Sequence, residues 1–547
     1  LIPITTRYKY DIIKSRNKTK GLEIMRTQTP SFIVKAKLHL QDNVKNHLNK
    51  SFHIADSAYN ETLNFGLKRF SAMKKNERYQ ELLELRREIV KTQENIKKET
   101  NKKIKQKLKE DAKQIKAQLE EIDKELGKIR MNYGLTKYQL STWLLERRKH
   151  TEAYQHLNSA ELQVIAENAY QTLSQVIFYK IKPEKVKFRS KYSLDHSFRN
   201  RVNNTGTRLV ESEKPGIAYR LYIHKRTTFI DIPAIAFTEY QQMQLLRADK
   251  IKYVQIISKT IRGKQVFYLQ IVCQGIPVTK IQKGEGVTGI DPGISTVAYV
   301  SKDTCELVDL VPENFARKER LIQNLSRKIE RSCKVNDPEA YNENGTRKKN
   351  VRFKPLSKRA RRLAVRRQTA YRKLTEERRK LQGSLVNRIV SQSSTIKIEA
   401  LNVKGLQKRK RETRINPKTG RPFSKKRYGK ATFKAAPGQF RMLLTQRAHA
   451  TGCKVDIISP KKTKPSQYNH ITGEFEKKEL KIRIYNLTDE ITDVQRDLYS
   501  AFLIAHIEND EYLTEQLVEN FDVFYENMKE QLHKLRQKPT RLSWYIE

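Results

Sequence analysis

The sequence predicts a multidomain protein in which a β domain, interrupted by a long helical segment, is followed by an α/β domain. Apolar and basic residues alternate over residues 32–40, helical periodicity runs from residue 41 to about residue 181, and strand patterns return after Pro183. A period of two is typical of a half-buried strand, whereas steps of three, four or seven indicate an amphipathic helix. Beyond Gly286, three short strands are followed by alternating helices and strands, which favours an α/β sheet.

Each element is predicted from its local pattern. In the helical segment, apolar residues form a heptad seam between faces rich in Lys and Glu, typical of a solvated helical hairpin. The seam consists of Leu108, Ile115, Leu119, Ile122, Leu126 and Ile129. Alternation and turn residues then predict strands at residues 185–188, 221–224, 228–232, 253–258 and 265–272. Further strands are expected at residues 287–290, 296–301, 306–310, 395–399 and 454–459, with a helix from about residue 493.

The charge balance points to a polyanionic partner. The chain has 547 residues, and 111 Lys and Arg against 60 Asp and Glu give a net charge of +51. Such a charge argues against an ordinary metabolic enzyme and favours nucleic acid, with an anionic membrane surface as the weaker alternative. No apolar run of about 18 residues is present, and the four cysteines form no CxxC pair. We therefore expect a soluble protein of a reducing cytoplasm that does not bind membranes.

Two segments have an unusually high density of positive charge. Residues 351–380 contain thirteen Lys and Arg against two Glu, and residues 401–430 contain twelve against one. Helical spacing in the first, with Leu363 and Val365 as apolar anchors, predicts a basic helix, and prolines and glycine in the second predict a basic loop. Charge of one sign at this density favours phosphate contact. The candidate nucleic-acid-binding residues are Arg361, Arg362, Arg366, Arg367, Lys408, Arg409, Lys410 and Arg427.

Three carboxylates occupy positions where a sheet could bring them together. Asp291 ends the first strand of the α/β domain, Glu399 ends a later strand, and Asp497 lies near the start of a terminal helix. Asp493, four residues earlier, would share the helical face of Asp497 and is a rival. Each acid alone has a structural alternative as a turn residue, an exposed strand end or a helix cap. As a set, they are the oxygen ligands that Mg²⁺ prefers.

The order and placement of these acids resemble the RuvC-type RNase H fold. The sequence resembles the TnpB family of transposon-encoded RNA-guided nucleases and the related type V CRISPR effectors. The similarity covers most of residues 25–507, and its nuclease half is the specific part. It is carried by GIDPG at residues 289–293, KIEALNVKGL at 397–406, FKAAPGQFRMLL at 433–444 and RDLYSA at 496–501.

The resemblance implies a multidomain fold: a split β-barrel (wedge) domain with an inserted α-helical recognition lobe, followed by an α/β RNase H-like (RuvC) nuclease domain. It implies a guide RNA, a double-stranded DNA target read next to a short motif, and Asp291, Glu399 and Asp497 as catalytic ligands of two Mg²⁺ ions, with Mn²⁺ as a substitute. A monomer is favoured. The expected segments are 1–24 (an extension without an assigned role), 25–41 and 183–282 (wedge), 42–182 (recognition lobe), 283–463 and 488–547 (nuclease), and 464–487 (insert).

Two departures separate this sequence from the family pattern. The family usually follows the third acid with x-Asn-Ala-Ala, whereas here Asp497 is followed by Leu-Tyr-Ser-Ala. Many relatives carry a zinc ribbon where this chain has residues 464–487, which contain no cysteine. No zinc is therefore predicted, and Tyr468 and His470 in this insert are interpreted as structural residues.

Three other functions fit part of the sequence. A DNA transposase or resolvase would use the same three acids without RNA. An RNA-guided DNA-binding protein would keep the fold without cleavage. A basic RNA-binding protein would explain the charge but not the three acids.

Overall fold

The computed structural model describes residues 30–98, 104–190, 195–348, 353–408, 428–479, 481–537 and 541–546, with the single residues 351, 412, 415 and 417. Residues 1–24, for which no role was predicted, lie outside this range. All four cysteines are free thiols. No helix in the described part of the chain combines the length and apolar character needed to cross a membrane.

In the described part of the chain, one strand precedes the helical segment. Strand β1 (Ser31–Leu38) is followed by α1 (Asp42–Met73), α2 (Glu77–Lys98), α3 (Ile104–Asn132), α4 (Lys137–His150), α5 (Glu152–Gln155) and α6 (Ser159–Ile177). The predicted heptad seam lies in α3, where Ile122 and Leu126 are buried. Arg86 of α2 pairs with Asp123 of α3 at 2.8 Å. The two helices form the solvated hairpin that the pattern predicted.

The next segment contributes six strands in two antiparallel sheets. These are β2 (Asp195–Arg199), β3 (Arg208–Glu211), β4 (Ile217–Ile223), β5 (Lys225–Pro233), β6 (Lys250–Ile261) and β7 (Lys264–Gln274), with helix α7 (Glu239–Leu246) between β5 and β6. The sheet orders are β1-β7-β6-β2 and β3-β4-β5, and their apolar faces share one core. The early strand β1 thus joins the later strands, as expected from its pattern.

One strand prediction in this segment is wrong. Residues 185–188 form no strand: Lys185 is the last residue of a short 3₁₀ turn that begins at Pro183, and residues 186–188 have no regular secondary structure. Strands β2 and β3 were missed. β2 buries only Phe198, so its polar sequence gives almost no alternation.

The third segment is a five-stranded sheet covered by helices. Its elements are β8 (Gly286–Pro292), β9 (Thr296–Ser301), β10 (Thr304–Asp309), α8 (Phe315–Asn336), α9 (Lys358–Gln392), β11 (Ser393–Glu399), α10 (Val403–Leu406), α11 (Gly429–Ala435), α12 (Pro437–Thr451) and β12 (Lys454–Ile458). The order is β10-β9-β8-β11-β12. β8, β9 and β10 pair antiparallel, whereas β11 pairs parallel with both β8 and β12.

The basic helix differs from its predicted extent. α9 begins at Lys358 and continues to Gln392, so residues 351–357 precede it. The predicted anchors Leu363 and Val365 are only half-buried, whereas Leu385 and Ile389 in the second half are fully buried. The basic first half is therefore the more exposed part of the helix.

The chain closes with two small hairpins and two helices. These are β13 (Ile484–Tyr485), β14 (Val494–Gln495), α13 (Arg496–Ala505), β15 (Ile507–Glu508), β16 (Glu511–Tyr512) and α14 (Thr514–Arg536). Helix α13 packs on one face of the five-stranded sheet, and α9 and α12 pack on the other face. The side chains of the two faces belong to two separate hydrophobic cores. It begins at Arg496, three residues later than predicted.

Candidate active site and basic surface

Two neighbouring parallel strands place two of the three acids side by side. In the β8–β11 register, Gly289 pairs with Lys397 and Ile290 with Ile398. The next positions, Asp291 and Glu399, therefore lie together at the carboxyl ends of the two strands. Since side chains alternate along a strand, both acids face away from the core that buries Ile290 and Ile398.

Helix α13 covers the face on which the acids lie. A Cβ atom at Gly289 would lie 2.0 Å from the carbonyl oxygen of Ala501 and 2.4 Å from the amide nitrogen of Ala505. The absent side chain thus lets the helix backbone touch β8. Lys397 Nζ donates a hydrogen bond to the Ala505 carbonyl at 3.0 Å, which ties β11 to the same helix. This contact positions Asp497, in the first turn of α13, above the strand ends.

The three carboxylates interact electrostatically. Burial, and then the negative charges of Asp497 and Glu399, raise the pKa of the Asp291 carboxyl well above its usual range, and nearby Arg496 and Arg483 offset only part of this. Burial raises the pKa of Glu399 to about 6. Within the described residues, neither Asp291 nor Glu399 forms an ion pair or accepts a side-chain hydrogen bond. Carboxylates held together without such partners favour a bound cation.

Two arginines hold the third acid. Arg483 Nη1 lies 3.3 Å from both carboxylate oxygens of Asp497, and Arg496 Nη2 lies 3.1 Å from Oδ1. The backbone N–H of Arg496 donates to the Arg483 carbonyl at 2.8 Å, which fixes the insert against the start of α13. The sequence analysis missed both arginines. Arg496 could have been found because it adjoins Asp497, but nothing in the sequence signals Arg483.

The chemistry of the three donor groups suits divalent metal ions of the magnesium type. Three carboxylates from three elements supply hard oxygen ligands, and the raised pKa of Asp291 marks the repulsion that a cation would relieve. Asp291 interacts electrostatically with both of the other acids. A metal ion would share Asp497 with the two arginines.

Asp493 does not share the helical face of Asp497. It precedes β14, lies on the surface and has a backbone φ of +58°. The expected helix from about residue 493 is replaced by an extended segment, because β14 pairs with β13 before the helix begins. Asp493 is therefore not a rival ligand.

Aromatic packing holds the cysteine-free insert. Tyr468 stacks on Tyr512 with ring centroids 4.0 Å apart, and His470 Nδ1 lies 2.7 Å from the Tyr499 hydroxyl. The His470 ring also packs against Phe521. These contacts agree with the interpretation of Tyr468 and His470 as structural residues.

The candidate nucleic-acid-binding residues fall into four groups. Arg361, Arg362 and Arg366 are exposed on the first half of α9, and no carboxylate pairs with them in the described residues. Arg367 is half-buried and donates to Ser326 of α8 at 3.3 Å, so it also has a structural contact. Lys408 is exposed just after α10. Arg409, Lys410 and Arg427 lie outside the described residues.

Removing the exposed arginines of α9 should weaken nucleic-acid binding. We expect Arg361→Gln, Arg362→Gln and Arg366→Gln together to make the slope of log affinity against log salt shallower by about 2–3, because each phosphate contact contributes about 0.9. Filter binding of RNA and DNA across salt concentrations measures this slope. The control is Arg372→Gln on the same helix, since Arg372 is already neutralised by Glu376 at 2.6 Å. Equal slopes for the triple variant and wild type would remove this surface from the nucleic-acid interface.

Glu399 should make stability depend on pH. Its folded-state pKa lies above its ordinary value, so ionisation destabilises the fold progressively as pH rises from about 4.5 through 6. We expect Glu399→Gln to raise the free energy of unfolding by about 1–2 kcal/mol at pH 7.5 in EDTA, and by almost nothing at pH 4.5. Thermal unfolding at both pH values measures this, with the exposed Glu519→Gln as control. A gain of the same size at both pH values would contradict the assignment.

This chain is similar to several solved structures. A Cas12f1–sgRNA–target DNA complex aligns over 85% of this chain and 86% of its own, with 11% identity and a TM-score of 0.42. A CRISPR-Cas12f ternary complex aligns over 85% of each chain, with 13% identity and a TM-score of 0.24. A Cas12i1 R-loop complex after target DNA cleavage aligns over 90% of this chain and 66% of its own, with 11% identity and a TM-score of 0.27. No protein-family model and no curated protein sequence matches the chain.

Proposed function

We propose that this protein is an RNA-guided DNA endonuclease that hydrolyses phosphodiester bonds at Asp291, Glu399 and Asp497. The observation that carries the proposal is the convergence of these three carboxylates at one edge of the sheet, where Asp291 feels the charge of both others. If the three acids served only as a turn residue, a strand end and a helix cap, the fold would not require them to lie close together. A site for divalent cations gives the three acids one common role.

The sheet supports an RNase H-like assignment for the nuclease part. Three antiparallel strands continue into two parallel ones, with the first acid on the first strand, the second on the fourth and the third on a covering helix. For the N-terminal part we propose the wedge and recognition-lobe roles that the resemblance implies. Support comes from the pairing of β1 with β7 across the inserted helices.

Each residue of the site has a separate task. Asp291, Glu399 and Asp497 would together hold the two Mg²⁺ ions. Bound there, the ions supply Lewis-acid activation of a water and stabilisation of the leaving 3′ oxygen. Arg483 and Arg496 orient the Asp497 carboxylate, and Lys397 holds the helix that carries it.

The RNA guide rests on the resemblance and on the charge. A basic surface contacts phosphates whatever the base sequence. Such contacts suit an RNA–DNA heteroduplex, which the protein recognises through its backbone while base pairing supplies the sequence specificity. The exposed arginines on the first half of α9 provide such a surface. A transposase with the same acids would need no RNA, so the nature of the bound nucleic acid separates the two functions.

The test is to purify the protein from cells that carry its native locus, sequence the bound RNA, and incubate the complex with a matched plasmid and Mg²⁺. We expect a defined RNA with a variable guide end, and cleavage that requires complementarity to it. Defined RNA without cleavage would favour the inactive DNA-binding protein. Cleavage or strand transfer that survives ribonuclease treatment would favour the transposase. Bound RNA of no defined sequence would favour the basic RNA-binding protein.

A further inference from the structure

A second group of metal-ligating side chains lies far from the carboxylates in the sequence. His47 lies on α1, His156 directly follows α5, and His224 forms the turn between β4 and β5. One ring nitrogen of each lies within 4.8 Å of those of the other two. We call these three residues the histidine cluster. They join the helical segment to the β3-β4-β5 sheet.

We propose that the histidine cluster is a binding site for one zinc-type transition-metal ion that clamps the helical segment to the β domain. Imidazole nitrogens are preferred ligands of Zn²⁺, Co²⁺ and Ni²⁺, whereas Mg²⁺ prefers oxygen. Tetrahedral Zn²⁺ with bonds of about 2.0–2.1 Å needs ligand nitrogens about 3.3 Å apart. The cluster thus requires only small side-chain movements to close on an ion.

Two of the ring nitrogens converge on one hydroxyl group. The Oγ of Ser51, a fully buried residue of α1, lies 2.7 Å from His224 Nε2 and 3.0 Å from His156 Nε2. His47 Nε2 is buried and has no hydrogen-bond partner among the described residues. A buried polar atom without a partner is costly. An ion between the three rings would satisfy it and leave a fourth position for Ser51 Oγ or water.

A buried carboxylate orients one histidine of the cluster. Glu161 is fully buried, and its Oε2 lies 2.7 Å from His224 Nδ1. An N–H at Nδ1 donating to this oxygen leaves the Nε2 lone pair free, the arrangement by which carboxylates orient metal-ligating histidines. Thr207 Oγ1 donates to the other oxygen of Glu161, and the backbone N–H of Asn158 donates to Oε2 at 3.0 Å. Glu161 also supplies negative charge close to the ion.

The local backbone is also specialised. His224 adopts φ +54°, a left-handed conformation that costs a non-glycine residue free energy and occurs often at functional sites. Its backbone N–H donates to Thr207 Oγ1 at 3.1 Å. The same network therefore holds both the ring and the backbone of His224.

Cysteine spacing could not have revealed this site. No zinc was expected because residues 464–487 contain no cysteine, whereas the three histidines are contributed by three distant segments. The proposal is independent of the nuclease function, since none of its residues contacts the carboxylate site.

The experiment measures metal content in the full-length protein after removal of any affinity tag. Elemental analysis follows incubation with Zn²⁺ and dialysis, and titration with Co²⁺ monitors the visible absorption of a tetrahedral complex. We expect about one equivalent more metal in wild type than in His47→Gln or His156→Gln, and a Co²⁺ band that both variants lose. Glu161→Gln should weaken binding by about 10- to 100-fold.

The control is His53→Gln, an exposed histidine on the same helix as His47, which should keep the full equivalent. Asp291→Ala should also keep it, which separates this ion from any bound at the carboxylates. Circular dichroism establishes that each variant is folded. Equal metal content and an equal Co²⁺ spectrum in wild type and a folded His47→Gln variant would overturn the proposal. So would a wild-type protein that retains no zinc and gives no Co²⁺ band.

Discussion

Replacing Asp291 with alanine or asparagine is expected to abolish DNA cleavage, by about a thousandfold or more, while RNA and DNA binding persist. The negative charges of both other acids act on Asp291, so its removal would take away one of the three carboxylates that would hold a cation. The exposed arginines proposed to bind nucleic acid lie on α9, which packs on the opposite face of the sheet. Cleavage of a matched plasmid, measured beside gel-shift binding in EDTA, separates the two effects.

Loss of cleavage in this variant should not arise from misfolding. Burial and repulsion raise the pKa of Asp291, so a neutral Asn removes an unfavourable charge, and the variant should unfold at the same or a higher temperature in EDTA. The matched control is Asp493→Asn, an exposed acid four residues before Asp497, which should cleave like wild type. Cleavage by Asp291→Ala at the wild-type rate would refute the site.

Gly289→Ala is expected to damage both the stability of the nuclease part and its activity. The added Cβ would lie 2.0 Å from a backbone carbonyl of α13, and a backbone helix cannot move aside as a flexible side chain can. Overpacking of this kind costs about 1–3 kcal/mol or more. Any shift of α13 also moves Asp497 away from Asp291, so we expect cleavage to fall by about a hundredfold or more.

The two parts of this effect can be measured separately. Thermal unfolding gives the loss of stability, and cleavage well below the unfolding temperature gives the loss of alignment. Gly383→Ala is the matched control, because it lies within α9 and an added Cβ there has nothing within 4 Å. That variant should keep its activity and gain up to about 1 kcal/mol of stability. If Gly289→Ala behaved like Gly383→Ala, α13 would not be held by close backbone contact.

The local sequence pattern predicted the strongly periodic helices and strands correctly, and it failed for the weakly periodic ones. The buried strands β8 and β11 and the α3 seam agree with their predicted positions, because apolar alternation and heptads are visible in single segments. Strands β2 and β3 escaped prediction because their pairing, rather than their own side chains, defines them. The start of α13 was misplaced for the same reason, since β14 pairs with β13 before the helix begins.

The sequence by itself determined the positive charge, the order of the strands and helices, and the three acids at element ends, because composition and periodicity are properties of short stretches of chain. Only the tertiary structure decided which groups meet. It placed the charge of Asp497 near Asp291, brought Arg483 to the Asp497 carboxylate, and assembled His47, His156 and His224 from three distant segments. The contacts of the carboxylates depend on strand register and on the close approach of α13 at Gly289, and those of the histidines depend on the packing of the helical segment against the β domain. No local pattern encodes either.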